Sequence, residues 1–245
     1  MAGFKTENLL YGCGFVVSQD PIAKNGFVTD GLISFLHSAA NTGTGYDPNS
    51  TTWANLVEDG IDADLSNFAY NSSSGWNGSN TVGDPTYLIA DGIDDMVEMT
   101  GSASIINESE FTFVTIVEQA ALKNLTGFTR KGVSIRQRYF NTLTAPQFTM
   151  GSNNIVADSL LATGTPVMIT SVYDNGTMKQ YIGDTLQADT LSSVSYSNTA
   201  DDIEFFRYDG STYTEARIYV QSIYNKALSQ AEVTQNNNAG LVWRF

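Results

Sequence analysis

The sequence predicts an all-β protein, a β-sandwich of two antiparallel sheets with one short C-terminal helix. Three observations predict it. Short apolar or alternating runs rich in Val, Ile, Thr, Tyr and Phe recur along the chain, as half-buried strands require. Turn chemistry separates these runs, most clearly Asp174-Asn175-Gly176 and Asp209-Gly210, where Gly tolerates positive φ at little cost. Helical patterning is confined to one stretch near the end. Ten or more short strands with so little helix fit two twisted sheets packed face to face, with alternate residues of each strand entering a common core.

In chain order, residues 1–30 differ from the rest. They carry "GFKTENLLYGCGFVV", apolar but broken by Gly12 and Gly14, and then "SQDPIAKNGF". This segment is expected to be an arm or anchor, with the first strands of the sandwich as the alternative. Residues 31–245 are expected to form one domain, because no linker or repeat interrupts them. Its strands are "GLISFLHS", "TYLIA", "FTFVTIVEQ", "VSIRQRYF", "PQFTMG", "PVMITSVY", "MKQYIG", "IEFFRY" and "EARIYVQSIY". The turn at Asn175-Gly176 predicts a hairpin of Val167–Tyr173 with Met178–Ile182, and Asp209-Gly210 a second hairpin. The helix is "SQAEVTQNNNAG". Ser229 and Glu232 make a capping box, and Gly240 offers a left-handed C-terminal position. A last strand, "LVWRF", is expected after it.

Composition limits the function. The 245 residues carry a net charge of −14 and a pI near 4.2. Nucleic acid and anionic membrane surfaces repel such a chain, so nucleic-acid binding is excluded as the main role. The acidity reads as solubility, with divalent-cation binding as the functional alternative. Charged residues make up only 16%, and Asn, Ser, Thr and Gly carry the polar load. That suits a turn-rich protein working outside a cell or on a particle. One cysteine, Cys13, permits no intrachain disulfide, and the single histidine, His37, lies in a strand; both read as structural. No apolar run reaches membrane-spanning length, and no membrane insertion is expected. The start "MAGFKTENLL" lacks the regions of a signal peptide. Asn71 and Asn175 head Asn-x-Ser/Thr matches that read as turn chemistry.

Several motifs together resemble concanavalin A-like, laminin-G-like jelly-roll domains. Gly31-Leu32 and Trp53-Ala54-Asn55-Leu56 match the family's opening strand and Trp-containing turn, although Val57-Glu58-Asp59-Gly60 replaces its usual ending and His37 stands near its acidic position. Leu88, Asp91, Gly92, Asp94, Asp95 and Val97 match the segment L-x-F-D-G-x-D-D-Y-V, with Ala90 and Met96 departing from it. "MITSVYDNGTMKQYIGDT" is similar to the family hairpin and "EARIYVQSIYNKALSQAEVTQ" to its closing strand. The resemblance covers about residues 31–237. It implies a jelly-roll sandwich in which Trp53, Asp91, Gly92, Asp95, Asn175 and Gly176 are structural.

The stretch "YLIADGIDDMVEM" poses the main functional question. Its first reading is a turn, with Asp91-Gly92 reversing the chain and Asp94 and Asp95 capping backbone N–H groups. The alternative is a Ca2+ site at Asp91, Asp94 and Asp95, since clustered carboxylates suit a hard cation. Catalysis is not expected. Related endo-glucanases place three acids on one strand as E-x-D-x-E or E-x-D-x-x-E, whereas Glu108-Ser-Glu110 and Asp62-Ala-Asp64 supply only pairs. Glycan binding is expected at exposed aromatics and amides in "FAYNSSSGWNGSN", with Trp76, Tyr70 and Asn77 as candidates and Trp53 as a core anchor.

Two functions follow. The first is a non-enzymatic virion structural protein of a bacteriophage: a capsid decoration protein, head fibre or tail-associated module. It would be a homo-oligomer at the virion surface, joined to other virion proteins through the arm. Its lectin-like domain would face outward toward a cell-surface glycan. The second is a free carbohydrate-binding or adhesion module of a bacterial protein.

Overall fold

The structure, a computed structural model, describes residues 26–81, 83–106, 109–119, 126–139, 145–158 and 161–242. Among them the strands in chain order are β1 (Leu32–His37), β2 (Thr52–Trp53), β3 (Ala63–Ser66), β4 (Gly75–Asn77), β5 (Tyr87–Asp91), β6 (Met96–Met99), β7 (Glu110–Gln119) and β8 (Thr126–Lys131). They continue with β9 (Ile135–Tyr139), β10 (Pro146–Met150), β11 (Asn153–Val156), β12 (Val167–Asp174), β13 (Thr177–Ile182), β14 (Thr185–Leu186), β15 (Ile203–Phe205) and β16 (Glu215–Tyr224), followed by helix α1 (Gln230–Val242).

The strands build two eight-stranded sheets. The back sheet runs β14-β13-β12-β7-β16-β5-β4, with β1 also paired to β16; the front sheet runs β11-β10-β9-β8-β15-β6-β3-β2. Every pairing is antiparallel. The chain is thus an all-β, concanavalin A-like jelly-roll sandwich with one C-terminal helix, as the sequence predicts. Among the described residues, no helix is long and apolar enough to cross a membrane.

Burial explains the strand sequences. Between the sheets lies a core containing Trp53, Phe111, Phe113, Phe128, Phe148, Phe205 and Phe206. A second apolar cluster, including Phe35, Val114, Ile116, Tyr224, Val233 and Ala239, covers the outer face of the back sheet beneath α1. Strand β7 is central and covered on both faces, so residues of both parities are buried, its apolar Phe111, Phe113, Val114, Ile116 and Val117 as well as Thr112 and Thr115. Each large side chain so buried contributes roughly 1.5–3 kcal/mol before the cost of ordering.

The local motifs behave as their chemistry requires. Asp174 pairs with Thr177 across Asn175-Gly176, whose φ angles are 45° and 91°, a two-residue hairpin turn. The capping box is reciprocal. Glu232 accepts from the Ser229 N–H at 2.8 Å, while the Ser229 hydroxyl accepts from the Glu232 N–H at 3.4 Å. His37 is buried, its Nδ1 accepts from the Ala39 N–H, and burial pushes its pKa down to about 4.

Several expectations need correction. Glycine 240 does not end the helix, which runs on to Val242, so Leu241 and Val242 are not in a strand. A Cβ at Gly240 would lie 2.5 Å from Ile116 Cδ1; the glycine lets the helix approach the sheet closely. Residues 243–245 of the expected last strand lie outside the described residues. The second hairpin is only a local arch. Arg207 and Tyr213 form an isolated bridge between β15, which lies in the front sheet, and β16, which lies in the back sheet. Residues 1–25 of the expected arm, with Cys13, also lie outside the described residues. The end of that segment packs with the sandwich: Phe27 and Val28 are buried in the second cluster. Asn236 accepts from the Val28 N–H at 2.8 Å.

Candidate functional site

The two sites expected from sequence form one spatial unit at the edge where β5 of the back sheet turns into β6 of the front sheet. Asp91 Oδ1 accepts from the Ile93 N–H at 2.8 Å, and Gly92 has φ 75°. Asp95 is buried; one carboxylate oxygen accepts from the Asp91 N–H at 2.9 Å and the other from the Ser74 hydroxyl at 3.0 Å. Asp94 contributes its carbonyl, which accepts from the Asn67 amide. One oxygen each from Asp91, Asp94 and Asp95 lies within 4.8 Å of the others, so these three could ligate a hard cation. Burial pushes the Asp95 carboxyl up to about 6, against the hydrogen bonds from Asp91 and Ser74 that favour its charged form.

Ser74 joins this turn to the loop of Trp76, Tyr70 and Asn77. There the exposed indole expected from sequence is corrected. Trp76 is only 5% exposed, stands edge-on to fully buried Trp53 with ring centroids 5.2 Å apart, and donates Nε1–H to the Ser50 carbonyl at 2.8 Å. A sugar in solution cannot stack on it. The Gly, Ser and Asn around it suggest a surface tip, but they serve tight turns that fold the ring inward. Asn77 spends its amide on the Asn71 and Gly75 carbonyls. Tyr70 is half-buried against the core, has φ 52°, and burial raises its pKa. Glu110 accepts from the Asn175 amide, and Glu108 lies outside the described residues.

The front sheet holds a feature that the sequence analysis missed. Its cross-strand register aligns one residue from each of its eight strands: Thr52, Asp64, Glu98, Glu204, Arg130, Arg136, Thr149 and Asn154. Alternating neighbours on these strands, such as Trp53, Val97, Phe205, Ile135 and Phe148, point into the core, so the row lies on the outer face. Seven inter-strand steps of roughly 4.8 Å make it about 34 Å long. One half is acidic and the other basic. Glu204 joins the halves: it takes Arg130 Nε at 2.7 Å and Nη2 at 3.1 Å, and Arg207 Nη1 at 3.3 Å. Burial, then the charges of Glu204 and Asp202, push the Glu98 carboxyl up.

At the basic end, Arg136 and Arg138 share the outer face, two residues apart on β9. Their guanidinium carbons lie 5.2 and 5.4 Å from the centroid of the Tyr208 ring. Arg138 Nη1 donates to the Tyr208 hydroxyl at 2.7 Å and Nε to Thr149 Oγ1 at 3.1 Å. Burial lowers the Arg138 pKa, though a guanidinium stays protonated in proteins. Tyr208 rides on the arch from Phe206 to Thr214. The Thr214 hydroxyl clamps that arch to β8, accepting from the Gly127 N–H and donating to the Gly127 carbonyl, both at 2.8 Å. Only glycine fits beneath it, because a Cβ at residue 127 would lie 2.4 Å from the Arg207 carbonyl oxygen. The available sequence signal was "IRQRY", whose period of two puts both arginines on one face.

No family model and no curated protein matches the sequence. Solved structures do match in fold. A sialidase of Trypanosoma rangeli matches with TM-score 0.60 and 15% identity over 97% of this chain and 36% of its own. Domain 4 of AbnA, a GH43 extracellular arabinanase from Geobacillus stearothermophilus, solved with arabinotriose, matches with TM-score 0.56 and 13% identity over 83% of this chain and 96% of its own. Botulinum neurotoxin type C, in a structure concerned with its need for two ganglioside molecules to enter cells, matches with TM-score 0.57 and 12% identity over 85% and 51%. The chain spans about a third of the sialidases it matches. These likenesses correct the expectation that the chain has no enzymatic activity: its structural neighbours include sialidases and a domain of an arabinanase. The missing three-acid strand excluded only one catalytic arrangement, and glycosidases also use tyrosine nucleophiles and substrate assistance.

Proposed function

We propose that the protein is a carbohydrate-binding β-sandwich whose ligand lies across the outer face of the front sheet. The single observation that carries this reading is the polar row from Thr52 to Asn154. A sugar chain offers hydroxyl donors and acceptors at regular intervals, and the row presents acceptors at Asp64 and Glu98 and donors at Arg130 and Arg136. Rigid strands hold these groups, which limits the entropy lost on binding. The GH43 domain solved with arabinotriose and the neurotoxin that depends on gangliosides support the reading by analogy of fold.

A glycan array followed by titration calorimetry tests it. Glu98→Gln and Arg136→Gln should each weaken binding about tenfold, the loss of one charge-assisted hydrogen bond. Binding that survives both changes but is lost on altering Tyr70 or Asn77 would move the site to the sandwich edge.

The wider setting we propose is the surface of a bacteriophage particle, with the N-terminal segment joining the protein to other virion proteins or to sister subunits. The lightly charged, Asn/Ser/Thr/Gly-rich composition and the apolar, Gly-broken residues 1–30 support it. Deleting residues 1–25 should then leave a folded sandwich that no longer joins the particle or oligomer. Unchanged assembly would remove this setting without touching the glycan face.

A further inference from the structure

The charges along the front-sheet row are segregated, and this bears on the kind of sugar bound. Four of the six arginines of this acidic chain, Arg130, Arg136, Arg138 and Arg207, meet the basic half of the face. Arg130 and Arg207 share the single carboxylate of Glu204, and Arg217, on the other sheet, pairs with Glu118. Arg136 has no carboxylate partner among the described residues. Its Nε is buried without a hydrogen-bond partner, and its guanidinium lies over the face of Tyr208. Next to it, paired in register with Arg138, Gln147 is 4% exposed, and its Oε1 is also unpartnered. A half-buried guanidinium beside a like charge is costly without a counter-charge. Its planar fork of donors matches a carboxylate.

The opposite end limits the ligand further. Asp64 and Glu98 form no ion pair among the described residues, and the Arg207 charge that reaches Glu98 does not offset burial and the neighbouring carboxylates, so an extended polyanion would be repelled along half its length. We infer, resting on the carbohydrate reading above, that the face selects an oligosaccharide with one carboxylate-bearing sugar at its end. The acid sugar would lie against Arg136 beside Tyr208, with neutral sugars over Glu98 and Asp64. The hydroxyls of the neutral part would donate to the two carboxylates. A polyuronate or a nucleic acid does not fit this polarity.

Calorimetric titration of the full chain at low and moderate salt tests the inference. The probes are sialyllactose and a glucuronate-terminated xylo-oligosaccharide, two sources of the same terminal carboxylate, each against its neutral parent and its methyl ester. At least one acidic probe should bind ten or more times more tightly than its parent, with the advantage falling as salt rises and lost in the ester. Arg136→Gln should abolish the advantage, weakening the acidic probe about a hundredfold and the neutral parent only about tenfold, and Arg136→Lys should restore part of the difference. The ester comparison needs no variant, so a misfolded variant cannot hide the answer. Equal binding of charged and neutral probes, or an advantage that persists in Arg136→Gln, would overturn the inference and leave the carbohydrate face standing. Binding of no saccharide, acidic or neutral, would overturn both.

Discussion

Replacing Gly127 by Ala tests how the arginine face is built. The added Cβ would meet the Arg207 carbonyl oxygen at 2.4 Å, its carbon at 2.8 Å and Tyr208 Cα at 2.9 Å. All three are backbone atoms, so no rotamer change relieves the clash. Ordinary contact requires the arch to retreat by about 1 Å. That breaks both hydrogen bonds between Thr214 and Gly127, worth about 1 kcal/mol each, and adds strain of about 1 kcal/mol or more. The sum is about 3 kcal/mol, or a melting temperature lower by roughly 6–12 °C for a chain of this size. Calorimetry and urea titration measure it. Thr214→Val separates the parts, since it removes the hydrogen bonds without adding bulk and should cost about 2 kcal/mol. Glycan affinity should fall with Gly127→Ala, because Tyr208 no longer sits between Arg136 and Arg138. A Gly127→Ala protein that melts within about 2 °C of the parent would refute the argument.

Two further outcomes are expected at the sandwich edge. Trp76→Ala should cost about 3–5 kcal/mol by emptying the space against Trp53, yet leave glycan affinity unchanged in protein that remains folded; a weakened sugar titration with no change in melting would restore Trp76 as a binding residue. Asp95 has its folded pKa raised above the unfolded value, to about 6 by burial, so its contribution is full below about pH 4 and lost as pH rises through 6. Between pH 4 and 7 the parent should therefore lose on the order of 2–3 kcal/mol relative to Asp95→Asn, measured by urea titration. Calcium held by Asp91, Asp94 and Asp95 should raise the melting temperature at pH 7 and flatten that pH dependence. Identical melting in calcium and in chelator would leave the cluster as a turn alone.

The class of fold and its local punctuation were legible in the amino-acid sequence. Strand periodicity, the Asn175-Gly176 turn and the Ser229–Glu232 capping box each depend on residues within a few positions of one another, and local sterics and hydrogen bonding decide them. Trp53 was legible as core through the likeness of Trp53-Ala54-Asn55-Leu56 to the family's Trp-containing turn. Trp76 was misread because small polar neighbours are needed both by an exposed tip and by a tight turn that buries a ring; only the position of Trp53 across the loop distinguishes them. Gly240 was misread because a helix-ending glycine and a close-packing glycine look alike until Ile116 is seen beside it. Of the polar row, only the shared face of Arg136 and Arg138 was legible in sequence. The row's eight residues come from eight strands spread from Thr52 to Glu204, and although β2–β3 and β8–β11 follow one another in the chain, β15 is inserted between β8 and β6. A slip of one residue in any strand would turn its member of the row into the core. Tertiary pairing therefore decided which charges meet: register, set by the packing of the inner faces, places Arg136 and Glu98 on one surface.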